Sequence, residues 1–346
     1  MNKQLQPLRE DDTSERVDNA FIHCSDALKL YERWPKPTCI IADGPYGLAK
    51  FPGEPPTVAA LPEWYAPHAA AWAKCAATDC TLWFWGSELS WATVHPVLEV
   101  NGWQYEETVI WDKGLAHIAG NVNSKTIRGM PVATEVAVRY TRKNFLRNAS
   151  GIPLMLKEWV RAEWQRSGLP MNRSNAACGV ANAATRKYLT QCHRWYFPPV
   201  EAMERMAAYC AHHGTKTDRP YFSLDGESPF DGKAWERMRS KWNHRHGMTN
   251  VWQEPPVHGR ERVKADDGTA YLHANQKPLA LMERQVAACT DPGDVVWEPF
   301  GGLCSASLAA SQLGRRAFVA EVNRAFYKAA VTRLKEALDP PQRKLA

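Results

Sequence analysis

The sequence lacks the features of membrane and secreted proteins. No run of about 18 apolar residues, the length that a membrane-spanning helix requires, occurs in the 346 residues. The amino terminus is polar and charged, whereas a signal peptide carries an apolar core. Neither a membrane span nor secretion is predicted, and the expected location is the cytoplasm.

Paired cysteines are also missing. The nine cysteines are scattered, odd in number and never spaced as Cys-x-x-Cys. That pattern argues against a structural zinc site and against a disulfide framework. We expect reduced, mostly buried thiols and no metal.

The chain has only a small excess of charge of one sign, a formal +6, but the excess is unevenly distributed. Between Thr141 and Asn250, 18 Lys or Arg stand against 9 Asp or Glu, whereas the rest of the chain has 25 against 28. A basic middle segment is typical of a surface that faces nucleic-acid phosphates. A solvated basic surface without a partner has the same composition and stays open as an alternative.

A short apolar run that ends in a polar turn is the most informative feature present. Cys39–Ala42 predicts a buried strand, and Asp43, Gly44, Pro45 and Tyr46 follow it directly. A carboxylate, a backbone carbonyl and an aromatic ring thus meet at a strand end, where α/β proteins place their ligands. Asp43 is able to accept a hydrogen bond from an exocyclic amine, and Tyr46 is able to stack on a base.

A second strand and turn lie near the carboxyl end of the chain. Asp294–Glu298 is an apolar strand that ends in an acid, and Phe300, Gly301 and Gly302 lead from it into a helix of small residues. Glycines between a strand and a helix let the backbone approach a ligand closely. Glu321 ends the next strand about twenty residues later, where a carboxylate suits a ribose diol.

The basic middle segment predicts two short helices around a glycine. Met171–Cys178 and Asn182–Gln191 flank Gly179, which is the pattern of a helix-turn-helix. Polar side chains of the second helix have the chemistry to contact base edges and phosphates. They are Thr185, Arg186, Lys187, Thr190 and Gln191. Arg245 lies in a later turn-rich basic stretch, and an ordinary helical hairpin is the alternative for the two helices.

Together with His273–Leu279 and Glu321-Val322-Asn323, these motifs resemble the amino-methyltransferase family that modifies the exocyclic nitrogen of adenine or cytosine in DNA. The order is the permuted one, with the catalytic motif before the cofactor motif. The resemblance covers roughly residues 20–143 and 250–335. It implies S-adenosylmethionine as the cofactor, double-stranded DNA as the partner and a catalytic role for the turn Asp43–Tyr46, with the extruded base between Tyr46 and Phe51.

The same resemblance implies a set of cofactor-binding residues. Glu321 is expected at the ribose diol, Lys277 near the methionine carboxylate and Asp26 at the adenine amino group. The full set is Asp26, Gln276, Lys277, Pro278, Glu298, Phe300, Gly301, Gly302, Glu321 and Asn323.

The predicted fold class is α/β: a Rossmann-like class I methyltransferase sheet flanked by helices, with an inserted, mainly helical DNA-recognition region. Independently of the resemblance, the alternation of strand and helix patterns in the first half favours a parallel-containing sheet covered by helices on both faces. The expected parts are a flexible arm (1–20), a catalytic half (21–143), the insert (144–250), a cofactor half (251–338) and a tail (339–346). A homodimer and a cognate restriction nuclease are both compatible with this organisation.

Two positions depart from the family pattern and leave alternatives open. The family usually has proline at Gly44 and glycine at Cys304, where a side chain is expected to narrow the cofactor pocket or to shift its loop. These departures motivate the alternative of a DNA-binding protein of this fold whose catalysis has decayed. An acid at the head of the catalytic turn usually accompanies adenine in the family, so Asp43 favours N6 of adenine over N4 of cytosine. Methylation of RNA or protein is the third alternative.

Overall fold

The computed structural model describes residues 13–49, 54–115, 126–264, 272–273 and 275–338. The chain forms two compact units: residues up to Arg142 together with those from Ser240 onward, and Lys143–Arg239. The predicted insert, 144–250, therefore extends past the end of the second unit. The first twelve residues of the expected arm, the tail and Phe51 lie outside the described residues.

The larger unit is built on one mixed sheet that has nine strands within the described part of the chain. In chain order the strands of the described residues are β1 (Thr13–Val17), β2 (Ala20–Cys24), β3 (Cys39–Ala42), β4 (Thr81–Gly86), β5 (Trp103–Asp112), β6 (Thr134–Arg142), β7 (Phe145–Arg147), β8 (Pro153–Met155), β9 (Val251–Gln253), β10 (Val295–Glu298) and β11 (Arg316–Ala320). The order across the sheet is β1-β2-β11-β10-β3-β4-β6-β5-β9. β1 and β6 run antiparallel to their neighbours, and the remaining pairs are parallel.

The first strand lies within the expected flexible arm, 1–20, and corrects that prediction for residues 13–20. Thr13–Val17 pairs with Ala20–Cys24 in an antiparallel hairpin, and the Val17 side chain is buried in the core. The polar residues of this strand face outward, as expected for an edge strand, so the composition alone resembled that of a loose extension.

Helices cover both faces of the sheet, which confirms the predicted α/β class. In chain order the helices are α1 (Leu61–Cys75), α2 (Glu88–Val100), α3 (Leu156–Arg166), α4 (Arg173–Ala177), α5 (Val200–His213), α6 (Gly232–Glu236), α7 (Leu279–Cys289), α8 (Ser305–Gln312) and α9 (Arg324–Leu338). Successive strand side chains point to opposite faces. Ile40 and Ala42 therefore pack in one core cluster with α1 and α2, whereas Cys39 and Ile41 pack in the other with α7, α8 and α9. No helix among the described residues is long and apolar enough to cross a membrane.

The smaller unit has its own aromatic core. The β7–β8 hairpin and helices α3 to α6 enclose Trp159, Trp164 and Trp235, all fully buried. Trp235 donates to the Pro198 carbonyl and stacks on Phe197 with ring centroids 4.4 Å apart. A core of this kind allows Lys143–Arg239 to hold its shape as a separate compact unit.

The predicted helix-turn-helix is present only in reduced form. Arg173–Ala177 forms one short helix, Gly179 makes the turn with a φ of +66°, and the expected helix over Asn182–Gln191 is a single π-helical turn, Ala184–Tyr188. The Leu189 amide donates to the Ala184 carbonyl five residues earlier at 3.2 Å, which is the hydrogen bond that defines this π-helical turn. Both helical segments are therefore present but shorter than predicted.

Candidate active site

One cavity of about 530 Å³ lies at the carboxyl ends of parallel strands in the larger unit. The segments that follow β2, β3, β10 and β11 all contribute to its lining. Because these four strands are parallel, their carboxyl ends meet at the same edge of the sheet. Every residue predicted for catalysis or cofactor binding lines the cavity except Pro278, which precedes α7.

The turn Asp43–Tyr46, predicted to be catalytic, is held on both sides by side chains of other segments. The Tyr46 amide donates to Glu54 Oε1 at 3.0 Å, and the Tyr65 hydroxyl donates to the Pro45 carbonyl at 3.1 Å. At Gly44 there is no room for a side chain, because a Cβ would lie 2.6 Å from both Phe300 Cδ2 and the Tyr65 hydroxyl oxygen. Packing therefore explains the glycine at the position where the family usually has proline.

Asp43 belongs to a network of four charged side chains around the Tyr46 hydroxyl. Lys277 Nζ lies 2.8 Å from Asp43 Oδ1, 3.3 Å from Glu135 Oε2 and 3.2 Å from the Tyr46 hydroxyl. Lys113 Nζ donates to Glu135 Oε1 at 2.6 Å. The Tyr46 hydroxyl lies 3.1 Å from Asp43 Oδ1 and 3.0 Å from Glu135 Oε2. Two carboxylates and two ammonium groups thus balance their charges beside the cavity.

Burial and neighbouring charges shift the pKa values of the side chains in this network, and the direction differs from one group to the next. Burial raises the pKa of Asp43 above its usual range, and the Lys277 ammonium offsets only part of that rise. Burial acts on Glu135 in the same direction, but Lys277 and Lys113 outweigh it and hold the pKa of Glu135 below its usual range. Burial opposes the charge of Lys277, yet Asp43 and Glu135 raise its pKa. Asp43 is therefore the better proton acceptor of the two carboxylates.

Aromatic rings form one wall of the cavity. Trp64 and His68 of α1 stack with centroids 4.6 Å apart, and Phe300 lies 5.4 Å from Trp64 and 5.1 Å from His68. Burial lowers the pKa of His68 to about 4, so the imidazole is neutral at neutral pH. Its Nδ1 is paired with the buried Tyr31 hydroxyl at 2.8 Å. This wall offers flat apolar surface to a ring-bearing ligand.

The turn that follows β10 and contains Gly301 and Gly302 is held in place by hydrogen bonds to two carboxylates. The Glu298 carboxylate accepts hydrogen bonds from the Ala306 and Ser307 amides at 3.1 and 2.8 Å. It therefore caps α8 and also lines the cavity. Glu321 receives the Gly302 amide at 2.6 Å, which joins the ends of β10 and β11. A Cβ at Gly301 would lie 2.6 Å from a Val319 methyl carbon, so the backbone packs directly on β11.

Cys304 has a left-handed backbone, with a φ of +58°, which explains why glycine is usual at this position. For another residue this conformation costs about 1–2 kcal/mol. The Cys304 side chain is fully buried in the core and lies outside the cavity lining. The expectation that it narrows the cofactor pocket is therefore corrected.

The predicted DNA-contacting residues have different environments. Arg186 and Lys187 are exposed on the π-helical turn, and Lys187 lies 6.0 Å from the Tyr196 ring centroid. Thr185 instead faces inward: its amide donates to Asn175 Oδ1 at 3.1 Å, and its hydroxyl accepts from Asn175 Nδ2 at 2.8 Å.

The other three predicted contacts lie further along the chain. The Thr190 hydroxyl donates to the Cys192 sulfur at 3.1 Å, and the exposed Gln191 donates from its side chain to the Lys157 carbonyl at 3.1 Å. Arg245 is exposed and belongs to the larger unit.

Sequence reasoning missed Glu135 and Lys113. Glu135 is the second residue of β6 and pairs with Trp111 of β5, so the antiparallel register brings it beside Lys113. An acid at the start of a strand that is otherwise largely buried was the available signal. In the described part of the chain, no group of three or more His, Cys, Asp or Glu side chains is arranged to hold a metal ion.

A family model described as DNA methylase (N6_N4_Mtase) matches residues 38–332. The DNA adenine methyltransferase YhdJ of Escherichia coli K12 is 34% identical over 93 residues, which are 27% of this chain and 30% of YhdJ. The type II methyltransferase M.HinfI of Haemophilus influenzae is 32% identical over 87 residues, 25% of this chain and 24% of the relative. The alignments thus span less than a third of either relative.

Among solved structures, the cytosine-N4-specific PvuII DNA methyltransferase superimposes with a TM-score of 0.52 at 12% identity. The superposition covers 93% of this chain and 92% of that one. At this identity the likeness concerns the fold, and it agrees with the predicted class.

Proposed function

The chain belongs to the DNA methylase family, and on that premise we propose that it transfers a methyl group from S-adenosylmethionine to N6 of an adenine flipped out of double-stranded DNA. The observation that carries the proposal is the shared cavity. Asp43, which suits the amine, and Glu321, which suits a ribose, both line it. A donor and an acceptor of a methyl group are able to meet there directly.

The residues at the cofactor end fit S-adenosylmethionine. A cavity of about 530 Å³ lies within the range of roughly 300–1,000 Å³ that small ligands occupy. Each Glu321 oxygen already accepts one amide and keeps capacity for a ribose hydroxyl. Gly301 packs closely on β11 and has no side chain, so the backbone there leaves room for the ligand. When bound, S-adenosylmethionine supplies an electrophilic methyl group on its sulfonium sulfur.

At the base end, the residues of the turn make the amine reactive by orienting it. The lone pair of an exocyclic amine is delocalised into the ring, so the amine is a weak nucleophile. Asp43 and the Gly44 carbonyl accept its two N–H groups, which turns the lone pair out of the ring plane. Tyr46 stacks on the base. As the N–C bond forms, the amine loses a proton, and the raised pKa of Asp43 suits it to accept that proton.

DNA affinity is assigned to exposed cations of the smaller unit. Arg186 and Lys187 are exposed on the π-helical turn, and cations of this kind neutralise phosphates. We retain Thr190, Gln191 and Arg245 as further contacts. Thr185 supports the turn through its inward hydrogen bonds to Asn175.

Methylation of cytosine N4 is the second candidate, because both amines have similar edges. Asp43 at the head of the turn favours adenine, and YhdJ, which matches part of the chain, is named as an adenine enzyme. The fold itself favours neither base, because the PvuII enzyme is cytosine-specific.

The test is methyl transfer followed by nucleoside analysis. Unmethylated DNA amplified in vitro is incubated with the protein and S-adenosylmethionine that carries a deuterated methyl group, then digested and weighed. Deuterated N6-methyl-2′-deoxyadenosine supports the proposal, and N4-methyl-2′-deoxycytidine alone supports the second candidate. DNA without label overturns the proposed activity, and label found only in parallel incubations with RNA or with protein substrates assigns the activity to that substrate instead.

The setting of the reaction is also part of the proposal. We propose that the protein acts in the cytoplasm. Light scattering of the protein with and without DNA distinguishes a monomer from a homodimer. Resistance of methylated DNA to nucleases of the source cell reports a cognate restriction enzyme.

A further inference from the structure

Glu135 is the one acidic side chain in the charged network that lies outside the turn and the motifs recognised in the sequence. Its side chain is only 16% exposed. Lys113 holds Oε1 at 2.6 Å, while Oε2 faces Lys277 at 3.3 Å and the Tyr46 hydroxyl at 3.0 Å. Glu135 therefore joins two groups that both contact Asp43.

Lys277 and the Tyr46 hydroxyl both lie at one carboxylate oxygen of Asp43, and the other oxygen stays accessible to a ligand. Lys277 donates to Oδ1 at 2.8 Å, the Tyr46 hydroxyl oxygen lies 3.1 Å from the same oxygen, and no hydrogen bond from the described part of the chain reaches Oδ2. In the proposed reaction, Oδ2 is thus the oxygen available to the amine of the base. Its direction depends on where Lys277 and Tyr46 hold Oδ1.

Lys277 has few alternative positions as long as Glu135 is charged. Its ammonium lies between two carboxylates and over the Trp85 and Tyr46 rings, 5.2 and 5.4 Å from their centroids. Without the charge of Glu135, Asp43 would be its single anionic partner in the network. The ammonium would then be free to move along the Asp43 carboxylate and compete with the amine for Oδ2.

We propose that Glu135, held in place by Lys113, is a positioning residue for methyl transfer. It fixes Lys277 and the Tyr46 hydroxyl so that Asp43 Oδ2 faces the exocyclic amine. The inference rests on the proposed function, because it concerns the orientation of the group that activates the base.

The test is Glu135→Gln, which removes the charge but keeps an oxygen that accepts from the Tyr46 hydroxyl. We expect kcat for methyl transfer to unmethylated duplex DNA to fall at least 10-fold, with an unchanged Kd for S-adenosylmethionine. The matched control is Glu107→Gln, which removes a carboxylate that pairs with Arg139 at 2.7 Å on the same strand pair but outside the cavity lining. Its kcat is expected to stay within twofold of wild type.

A double-mutant cycle shows whether Glu135 acts through Lys277. In a Lys277→Met background, adding Glu135→Gln is expected to change kcat less than twofold. An undiminished loss in that background overturns the proposal, as does wild-type kcat in the single variant. If Glu135→Gln does not fold, Lys113→Gln is measured instead: a lower kcat at unchanged cofactor Kd supports the proposal, and unchanged kcat overturns it. Inactive wild-type protein would instead contradict the proposed function.

Discussion

In the proposed reaction the carboxylate of Asp43 activates the amine, and the neighbours of Asp43 allow its charge to be removed without leaving a buried cation unpaired. In Asp43→Asn, Lys277 keeps Glu135 as a partner at 3.3 Å, so no buried cation is left unpaired. We expect kcat to fall by about 10²–10³-fold or more, because the interaction strengthens as charge develops on the amine. Radiolabel transfer to DNA measures it, and cofactor Kd should be unchanged.

Asp291→Asn is the matched control for this substitution. Asp291 has a half-exposed carboxylate that pairs with Lys241 and lies outside the cavity lining. Turnover near the wild-type level in Asp43→Asn would show that the catalytic assignment is wrong.

Gly44 shows how a departure from a family pattern can have a local physical reason. A Cβ in this position would overlap both Phe300 and the Tyr65 hydroxyl, so one of them must shift. We expect Gly44→Ala to lower the free energy of unfolding by about 1–3 kcal/mol, the usual cost of overpacking. Urea denaturation measures this loss, and kcat should fall with it because Tyr65 also holds Pro45.

Gly129→Ala is the corresponding control, since a Cβ there meets nothing within 4 Å. Equal stability of the two variants would contradict the packing argument. With Gly44 explained by packing and Cys304 buried away from the cavity, both observations that motivated a decayed enzyme have structural reasons.

The stability that the connection from β10 to α8 gives to the fold is expected to depend on pH. Burial raises the pKa of Glu298 to about 7 even though Ser307 and the helix amides act in the opposite direction. In the unfolded chain the carboxyl has its ordinary pKa of 4.5, whereas in the folded protein its pKa is about 7. Between these values the native state binds more protons, so this group's contribution to stability is lost as pH rises.

We therefore expect the stability difference between wild type and Glu298→Gln to shrink from pH 5 to pH 8. The change should be on the order of 3 kcal/mol, from about 1.4 kcal/mol per pKa unit. Urea titrations at each pH measure it, and the variant cancels the contributions of His68 and His273, which are present in both proteins. A difference independent of pH would show that Glu298 titrates normally.

The π-helical turn of the smaller unit carries the prediction for DNA binding. Replacing Arg186 and Lys187 by alanine should lower affinity for duplex DNA and reduce the slope of log K against log salt by about 2. Fluorescence anisotropy at several salt concentrations measures the slope.

The control replaces Lys74 and Lys335, which are exposed but already paired with Glu32 and Glu15. An unchanged slope in the test variant would show that the turn has only a packing role.

Across the whole molecule, short-range features were predictable from the sequence and long-range pairing was not. The turns at Asp43 and Gly301 follow directly from strands whose apolar runs are visible, so their residues were found. Glu135 reaches the site through the antiparallel register of β5 and β6, which no local pattern specifies. Lys277 was expected at the cofactor, yet its ammonium lies at Asp43, because the path of the chain before α7 sets where the side chain ends.

The division into units was only partly predictable for a related reason. The basic composition continues past Arg239, but residues from Ser240 onward pack with the larger unit. Lys241 pairs with Asp291 and Asp294, so some of the positive charge counted in the middle segment is neutralised within the larger unit. Composition records the charge of a segment and not the surface against which it packs.

Modification-sensitive sequencing of DNA from cells that express the protein tests the central claim most directly. The host should lack adenine methylation of its own, and Asp43→Asn is expressed in parallel. If Asp43 activates adenine N6 as proposed, N6-methyladenine occurs at one recurring sequence context with the wild-type protein and is absent with the variant. Unmodified DNA with well-expressed wild-type protein, or equal modification in both strains, would contradict it.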